Sequence, residues 1–205
     1  MKEISEIKLK EILQGNSENL NLEFKASFNF NENLWARERL IRAILAMSNT
    51  RTGGDIVIGV KENLDKSHDY AGVESDHLSI FKSKIEELKS KVESFSSAPV
   101  SYEIGVGVYK QNSLIVINVT EFSLNPLICR RNGEHVDKLL EEGAIYVRTL
   151  KDKPSSIKLT NPVDVQDFLE RVSDKQIKNL HSRGWRHVES LGNDKSSFEK
   201  ERESF

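Results

Sequence analysis

Acidic residues and a lysine in the first third of the chain have the types and spacing needed to act on a phosphodiester. Four residues separate Glu18 from Glu23, Lys25 follows on the same short element, and Glu62 and Asp65 come soon after a strongly apolar run. Carboxylate oxygens are the usual protein ligands of Mg²⁺ and Mn²⁺, and such an ion stabilises the charge that develops in phosphodiester cleavage. The pattern predicts a metal site whose ligands come from Glu18, Glu23, Glu62 and Asp65.

Lys25 completes this candidate site, because a lysine on the same strand face as Glu23 can stabilise charge on a pentavalent phosphate. The catalytic assignment from the sequence is therefore Glu18, Glu23, Lys25 and Glu62. The alternative interpretation is a solvated strand face on which Glu23 and Lys25 form an ordinary ion pair, which contributes little to stability. The sequence leaves both interpretations open.

The elements around these residues determine whether the carboxylates can meet. Alternation of apolar and polar residues over 20–26 predicts a half-buried strand, with Glu23 and Lys25 on the face opposite Leu22 and Phe24. A helical pattern covers 34–47, and the continuous apolar run 55–60 predicts a central strand. We therefore expect the carboxylates to converge at one end of a sheet.

The rest of the chain supplies further helices and strands. We expect helices over 5–13, from a cap at Asp76 to about Phe95, and from Asn161-Pro162 toward Leu180, with a hairpin over 100–122. Short strands are expected at 70–73, 127–131 and 143–148. The fold class is α/β (α+β), with a mixed, mainly antiparallel sheet flanked by helices. The predicted divisions are a domain over 1–160, a helical segment over 161–185, and a polar tail or linker over 186–205.

Gly53 and Gly54 lie between the second predicted helix and the central strand. A glycine pair can form a nest of N–H groups for phosphate, or it can form a tight turn that Cβ atoms would obstruct. We favour the turn. The phosphate-loop pattern G-x-x-x-x-G-K-[ST] does not occur in the sequence, so we expect no ATP site.

Basic residues provide a second candidate site, for nucleic acid. Arginine reaches phosphates well and stacks on exposed bases, and a local groove is predicted from Arg51, Arg130, Arg131, Arg148, Lys151 and Lys153. The alternative is an ordinary charged surface, because 30 basic residues are balanced by 32 acidic ones and the net charge is only −2. Any attraction for nucleic acid must therefore be local.

Composition excludes several other classes of protein. The single cysteine, Cys129, allows neither an internal disulfide nor a cysteine-based zinc site, so we expect no zinc. The sequence contains no apolar run long enough to span a membrane and no signal-peptide pattern, so we expect a cytoplasmic protein with no membrane partner. Trp35 and Trp185 are expected in the core or at a helix contact.

Taken in order, these motifs resemble the Schlafen-AlbA family over roughly residues 10–160. The resemblance rests on an E-x4-E-F-K strand, an N-T turn with a glycine pair, an apolar strand ending in G-V, and a late G-x-x-Y-x-R strand. These motifs are Glu18 to Lys25, Asn49 to Gly54, Gly59-Val60 and Gly143 to Arg148. The turn has one more residue before its glycines than is typical of the family.

The resemblance implies a nucleic-acid-binding domain for RNA or DNA. RNA-cleaving members use two glutamates at the spacing of Glu18 and Glu23, and an acidic residue just after the G-V strand, where this chain has Lys61 and then Glu62. One interpretation is a metal-dependent endoribonuclease acting on structured RNA such as tRNA. The other is a non-catalytic DNA-binding or protein-assembly module of a bacterial defence or regulatory protein. Because one lobe offers half a groove, we expect a homodimer formed through 162–185 or through an exposed sheet edge.

Overall fold

In a computed structural model the described residues are 1–14, 18–63, 65, 67–149 and 154–192, with side chains described as far as 182. The helices are α1 (Glu6–Leu13), α2 (Leu34–Ser48), α3 (Ser75–Ser83), α4 (Ile85–Phe95) and α5 (Pro162–Gly192). The strands are β1 (Lys2–Glu3), β2 (Leu22–Lys25), β3 (Gly54–Ile58), β4 (Lys61–Glu62), β5 (His68–Asp69), β6 (Tyr102–Tyr109), β7 (Asn112–Val119), β8 (Tyr146–Thr149) and β9 (Ser155–Lys158).

A five-stranded mixed sheet forms the centre of the fold, in the order β1-β6-β7-β3-β2. Its two longest pairings, β6 with β7 and β7 with β3, are antiparallel, while β2 runs parallel to β3 at one edge. Lys110 and Gln111, both at positive φ, form the two-residue turn of the predicted hairpin. The predicted α+β class and mainly antiparallel sheet are confirmed.

Helices cover both faces of this sheet. On one face α1 buries Leu9 and Leu13 against Leu22, Phe24 and Val57. On the other face α2 and α4 form the larger core, with buried side chains that include Ile41, Ile44, Ile56, Leu88 and Val92. The sequence pattern is correct in placing Leu22 and Phe24 on one side of β2. It is wrong in predicting a half-buried strand, because the Glu23 side is covered as well and Glu23 is only 6% exposed.

Asparagines flank helix α2 at both ends, as its capping residues Asn33 and Asn49. The side chain of Asn33 accepts a hydrogen bond from the backbone N–H of Ala36, at 2.8 Å, and so caps the first turn. At the other end the buried amide of Asn49 donates to the carbonyl oxygens of Leu127 and Tyr146 and accepts from the N–H of Leu127. The asparagine of the N-T motif therefore joins the end of α2 to the segments that precede and begin β8.

The glycine pair after α2 forms a turn under close backbone contact. A Cβ on Gly53, which has φ of 69°, would lie 2.0 Å from the carbonyl oxygen of Val119, and one on Gly54 would lie 2.3 Å from that of Asn21. Any side chain at either position would collide with backbone. This geometry favours the turn interpretation over a phosphate nest.

Three predicted elements differ in the structure. The long helix from Asp76 is divided at Lys84, so that Phe81 of α3 packs edge-on against Phe30 while α4 packs against α2. The segment 127–131 forms only a single bridge between Ser96 and Cys129. The returning strand lies at His68–Asp69 rather than at 70–73, and it pairs with β4.

None of the helices in the described residues is both long and apolar enough to cross a membrane.

Candidate nucleic-acid interface

A cavity of about 500 Å³ opens beside β2 and the first half of α2, with β4 and the start of β9 completing its walls. We call it the β2–α2 cavity. Charged side chains from three separate segments line it: Glu18, Glu23, Lys25, Arg39, Arg42 and Glu62. Four predicted catalytic residues, Glu18, Glu23, Lys25 and Glu62, are therefore brought to one cavity.

Glu23 is the most enclosed of these charges. One carboxylate oxygen lies 2.6 Å from Nζ of Lys25, and the other lies 2.6 Å from Nη1 of Arg148 and 2.8 Å from Oγ of Ser156. The side chains of Glu23, Lys25 and Arg148 are between 0% and 10% exposed. Both oxygens of Glu23 are thus engaged by donors inside the protein.

Strand register explains why Arg148 and Ser156 reach the same carboxylate. These two residues are direct partners across the β8–β9 pairing, so their side chains share one face of that small sheet. The guanidinium also donates from Nη2 to the carbonyl oxygens of Asn19, at 2.7 Å, and Leu22, at 3.1 Å. Arg148 therefore covers the free edge of β2 while it neutralises Glu23.

Glu18 protects the same edge. Its carboxylate accepts a hydrogen bond from the backbone N–H of Phe24 at 2.8 Å, on the side of β2 away from β3. A strand edge left open would expose unpaired backbone groups. At least one oxygen of Glu18 thus has a structural role in the cavity wall.

Burial and neighbouring charges shift the pKa values of three charged groups in the cavity. Burial opposes the ionisation of Glu23, but the charges of Lys25 and Arg148 and the hydrogen bonds from Lys25 and Ser156 outweigh it and lower the pKa of Glu23. The pKa of Lys25 is also lowered, by burial and by repulsion from Arg39, against the opposing pull of Glu23 and Glu18. Burial and repulsion from Arg39 likewise lower the pKa of Arg42. Cations are therefore close enough together in this cavity to repel one another.

An exposed tryptophan lies at the cavity alongside these cations. Trp35 is 40% exposed, and the guanidinium carbon of Arg39 lies 4.3 Å from the centre of its ring. The expectation that Trp35 is a core or helix-contact residue is wrong, since so much of its ring is accessible to solvent. Trp185 lies outside the residues whose side chains are described.

The predicted metal ligands do not form one coordination group. Glu62 is exposed on β4, and Asp65 lies in the turn that follows, where its carboxylate accepts bonds from the N–H and hydroxyl of Ser67. Within the described residues, no group of three or more acidic, histidine or cysteine side chains is arranged to hold an ion. Both Glu23 oxygens already accept bonds from cationic donors, so the described arrangement does not fit an ion held by Glu23.

The other predicted nucleic-acid residues lie in different places. Arg51 is exposed and lies 3.6 Å from carboxylate oxygens of both Asp167 and Asp174 on α5. Arg130 and Arg131 are exposed, and Arg131 stacks on Phe95 at 4.3 Å. Arg148 is buried against Glu23, while Lys151 and Lys153 lie outside the described residues.

Sequence reasoning missed Ser156, Arg39 and Arg42 as cavity residues. The sequence does contain a signal for the arginines, because Arg39, Arg42 and Trp35 are spaced to share one side of a helix that starts beside the E-F-K strand. Ser156 had no such signal, because its role depends on the register of β8 with β9.

Comparisons with known proteins agree with the order of the motifs. The family model described as "Schlafen, AlbA_2" matches residues 18–155, which is more than half of the chain. No curated protein matches.

Two solved structures are among those similar to this chain. One is the N-terminal domain of a putative ATP-dependent DNA helicase RecG-related protein from Nitrosomonas europaea, at 17% identity and a TM-score of 0.47, covering 63% of this chain and 83% of that one. The other is the DIP2311 protein from Corynebacterium diphtheriae, at 12% identity and a TM-score of 0.43, covering 74% of this chain and 26% of that one.

Proposed function

We propose that this chain, which belongs to the Schlafen AlbA_2 family, binds nucleic acid in the β2–α2 cavity. The observation that carries the proposal is the convergence of Arg39 and Arg42, beside Lys25, on one concave site, where burial and repulsion from Arg39 lower the pKa of Arg42. Like charges held close together repel one another, and a bound anion offsets that repulsion. A phosphate backbone is such an anion, and its affinity is greatest where the cations are already in place.

Glu23 supports this proposal as a structural counter-ion. Removing either partner of a buried ion pair is costly, so its pairing with Lys25 and Arg148 is expected to persist when a ligand binds. That leaves Arg39 and Arg42, both half-buried on the same helix, as the side chains that meet phosphate. Both carry planar guanidinium groups, which suit bidentate contact with phosphate oxygens.

The test is the binding of a fluorescently labelled single-stranded RNA, measured by anisotropy at several salt concentrations. Replacing both Arg39 and Arg42 by alanine should lower affinity at least tenfold and reduce the salt slope by about 1.4, because two contacts of about 0.7 each are lost on a single strand. Arg37→Ala is the matched control: Arg37 lies on the same helix and contacts Phe30, outside the cavity. If the double variant binds like the wild type, the cavity is not the interface. If the wild type binds neither RNA nor DNA, the proposed function itself is wrong.

Arg130 and Arg131 are proposed as a flanking contact. The loop after them reaches α2, where the buried carboxylate of Glu38 accepts bonds from the N–H groups of Glu134 and His135. Replacing both arginines by alanine should lower the salt slope by about two on a duplex. Unchanged affinity and slope would exclude this contact.

Cleavage of RNA is a second candidate, favoured by the presence of Glu18, Glu23, Glu62 and Lys25 in one cavity. Purified protein would be incubated with labelled tRNA and with single-stranded DNA, with Mn²⁺ or with chelator. Glu62→Gln is the informative variant, because Glu62 is exposed and its replacement should leave the fold intact. Cleavage by the wild type that is lost in Glu62→Gln with binding retained would support a nuclease. Binding without cleavage in either condition would support a non-catalytic module.

A homodimer through α5 is the remaining proposal. The helix docks through Phe168, which is 2% exposed, while Val163, Leu169, Ile177 and Leu180 are between 51% and 72% exposed. Burial of these exposed apolar side chains against a second copy of the chain would be energetically favourable. Light scattering at micromolar concentration should give twice the chain mass of 23.4 kDa. A mass equal to one chain would exclude the dimer.

A further inference from the structure

Trp35 is a large aromatic side chain of the β2–α2 cavity that remains exposed to solvent. It lies in the first turn of α2, lines the cavity and remains 40% exposed, whereas the nearby rings of Phe24 and Phe28 are only 8% and 9% exposed. A large ring usually gains by burial, so an exposed one beside a cavity suggests that a ligand completes its contacts.

Arg39 prepares the ring for such a ligand. Its guanidinium carbon lies 4.3 Å from the ring centre, one helical turn after Trp35, and so holds the indole by a cation–π contact. A ring fixed in advance loses less conformational freedom when a ligand stacks on it. Beside this contact Trp35 as a whole remains 40% exposed to solvent.

The rest of the cavity has the features of a nucleotide site. Its volume of about 500 Å³ lies within the range of small-molecule pockets, about 300–1,000 Å³. Its lining also includes Phe24, Val60 and Pro154, as well as His68, whose ring meets that of Phe24 at 4.8 Å. The aromatic rings of Trp35 and His68 suit a base, and the adjacent cations Arg39 and Arg42 suit its phosphate.

We propose that Trp35 is a base-stacking platform, so that the β2–α2 cavity accepts an unpaired nucleotide of a single strand or a single-stranded loop. This inference rests on the proposed function and specifies its substrate class. In a duplex both faces of an internal base are already stacked, so it cannot also stack on Trp35. Stacking on an aromatic ring tolerates any base and adds affinity without adding an ionic contact.

The test separates stacking from charge. Labelled single-stranded RNA and a duplex of the same length would be titrated against the wild type, Trp35→Ala and Trp35→Phe. Trp35→Ala should weaken single-strand binding about tenfold with the salt slope unchanged, because base–aromatic stacking is lost and no phosphate contact is. Trp35→Phe should recover most of that affinity, and duplex binding should not change. Val108→Ala is the control for losing an exposed apolar side chain outside the cavity, since Val108 is 53% exposed.

A direct spectroscopic measurement accompanies the titration. Trp35 and Trp185 are the two tryptophans of the chain, so Trp185→Phe leaves Trp35 as the one indole fluorophore. Saturation of this variant with the single strand should quench its fluorescence, and the duplex should leave it unchanged. Wild-type affinity in Trp35→Ala, or an equal loss for single strand and duplex, would overturn the platform while leaving the proposed function intact. Absence of any binding by the wild type would overturn both.

Discussion

Two groups of ion pairs, one at the β2–α2 cavity and one at α5, contrast in their burial. Glu23, Lys25 and Arg148 are joined at 2.6 Å with side chains at most 10% exposed. Arg51 approaches Asp167 and Asp174 at 3.6 Å, with all three side chains more than half exposed. The two groups contain similar residues, and their surroundings differ.

The contrast separates charges that fix the structure from charges that are available to a partner. Buried charges lose their water and must be fully paired, so the loss of any one leaves another uncompensated. Exposed pairs at longer distance contribute about 0–1 kcal/mol and are screened by salt. Of the predicted nucleic-acid residues, Arg148 therefore belongs to the framework, and Arg51 can change partners at little cost.

Arg148→Met should have the largest effect on stability. It leaves Glu23 with only Lys25 and Ser156 and removes the bonds to Asn19 and Leu22 at the edge of β2. We expect a loss of about 3–5 kcal/mol in the free energy of unfolding, measured by urea denaturation. A loss below about 1 kcal/mol would mean that the buried group is no more important than an exposed one.

Glu23→Gln should have the next largest effect, because it leaves two buried cations, Lys25 and Arg148, without their carboxylate. A loss of about 3 kcal/mol is expected near neutral pH. Glu62→Gln is the matched control, since Glu62 is exposed at the same cavity and should change stability by less than about 0.5 kcal/mol. Equal effects of the two substitutions would contradict the role of Glu23 as a buried counter-ion.

The pH dependence of this difference gives an independent check. The pKa of Glu23 in the folded protein lies below its ordinary value of 4.5, so its ionised form stabilises the folded state. The stability advantage of the wild type over Glu23→Gln should be fully present above about pH 5.5. It should shrink as the pH falls below about 4.5 toward the folded pKa. An advantage that grows on acidification would contradict the sign of the shift.

Arg51→Met should have the smallest effect and provides the same substitution in the exposed group. Loss of the approaches to Asp167 and Asp174 should cost about 0–1 kcal/mol, and the cost should diminish at high salt. Urea denaturation at low and high salt measures both features. A loss comparable to that of Arg148→Met would show that α5 depends on Arg51 for its docking.

The sequence predicts the secondary-structure elements better than the contacts between them. Alternation correctly separates Glu23 from Phe24 across β2, and the Gly53-Gly54 turn follows from residue type, because local periodicity and backbone freedom determine both. The pairing of Glu23 with Arg148 joins residues 125 positions apart. It depends on how the β8–β9 hairpin docks against β2, which no local pattern encodes. The exposure of Trp35 also depends on what tertiary packing leaves uncovered, so a ring that reads as core in the sequence lies at a cavity.

Photo-crosslinking can locate bound nucleic acid on the protein and so shows whether it lies in the β2–α2 cavity. A single-stranded RNA carrying thiouridine would be bound to the full chain and irradiated, and the attached peptides would be identified by mass spectrometry. We expect attachment within 24–28 and 33–42, with Trp35 the leading position, and loss of attachment when Arg39 and Arg42 are replaced together. Attachment confined to α5 or to the segment around Arg130 and Arg131, unaffected by that double substitution, would contradict this expectation.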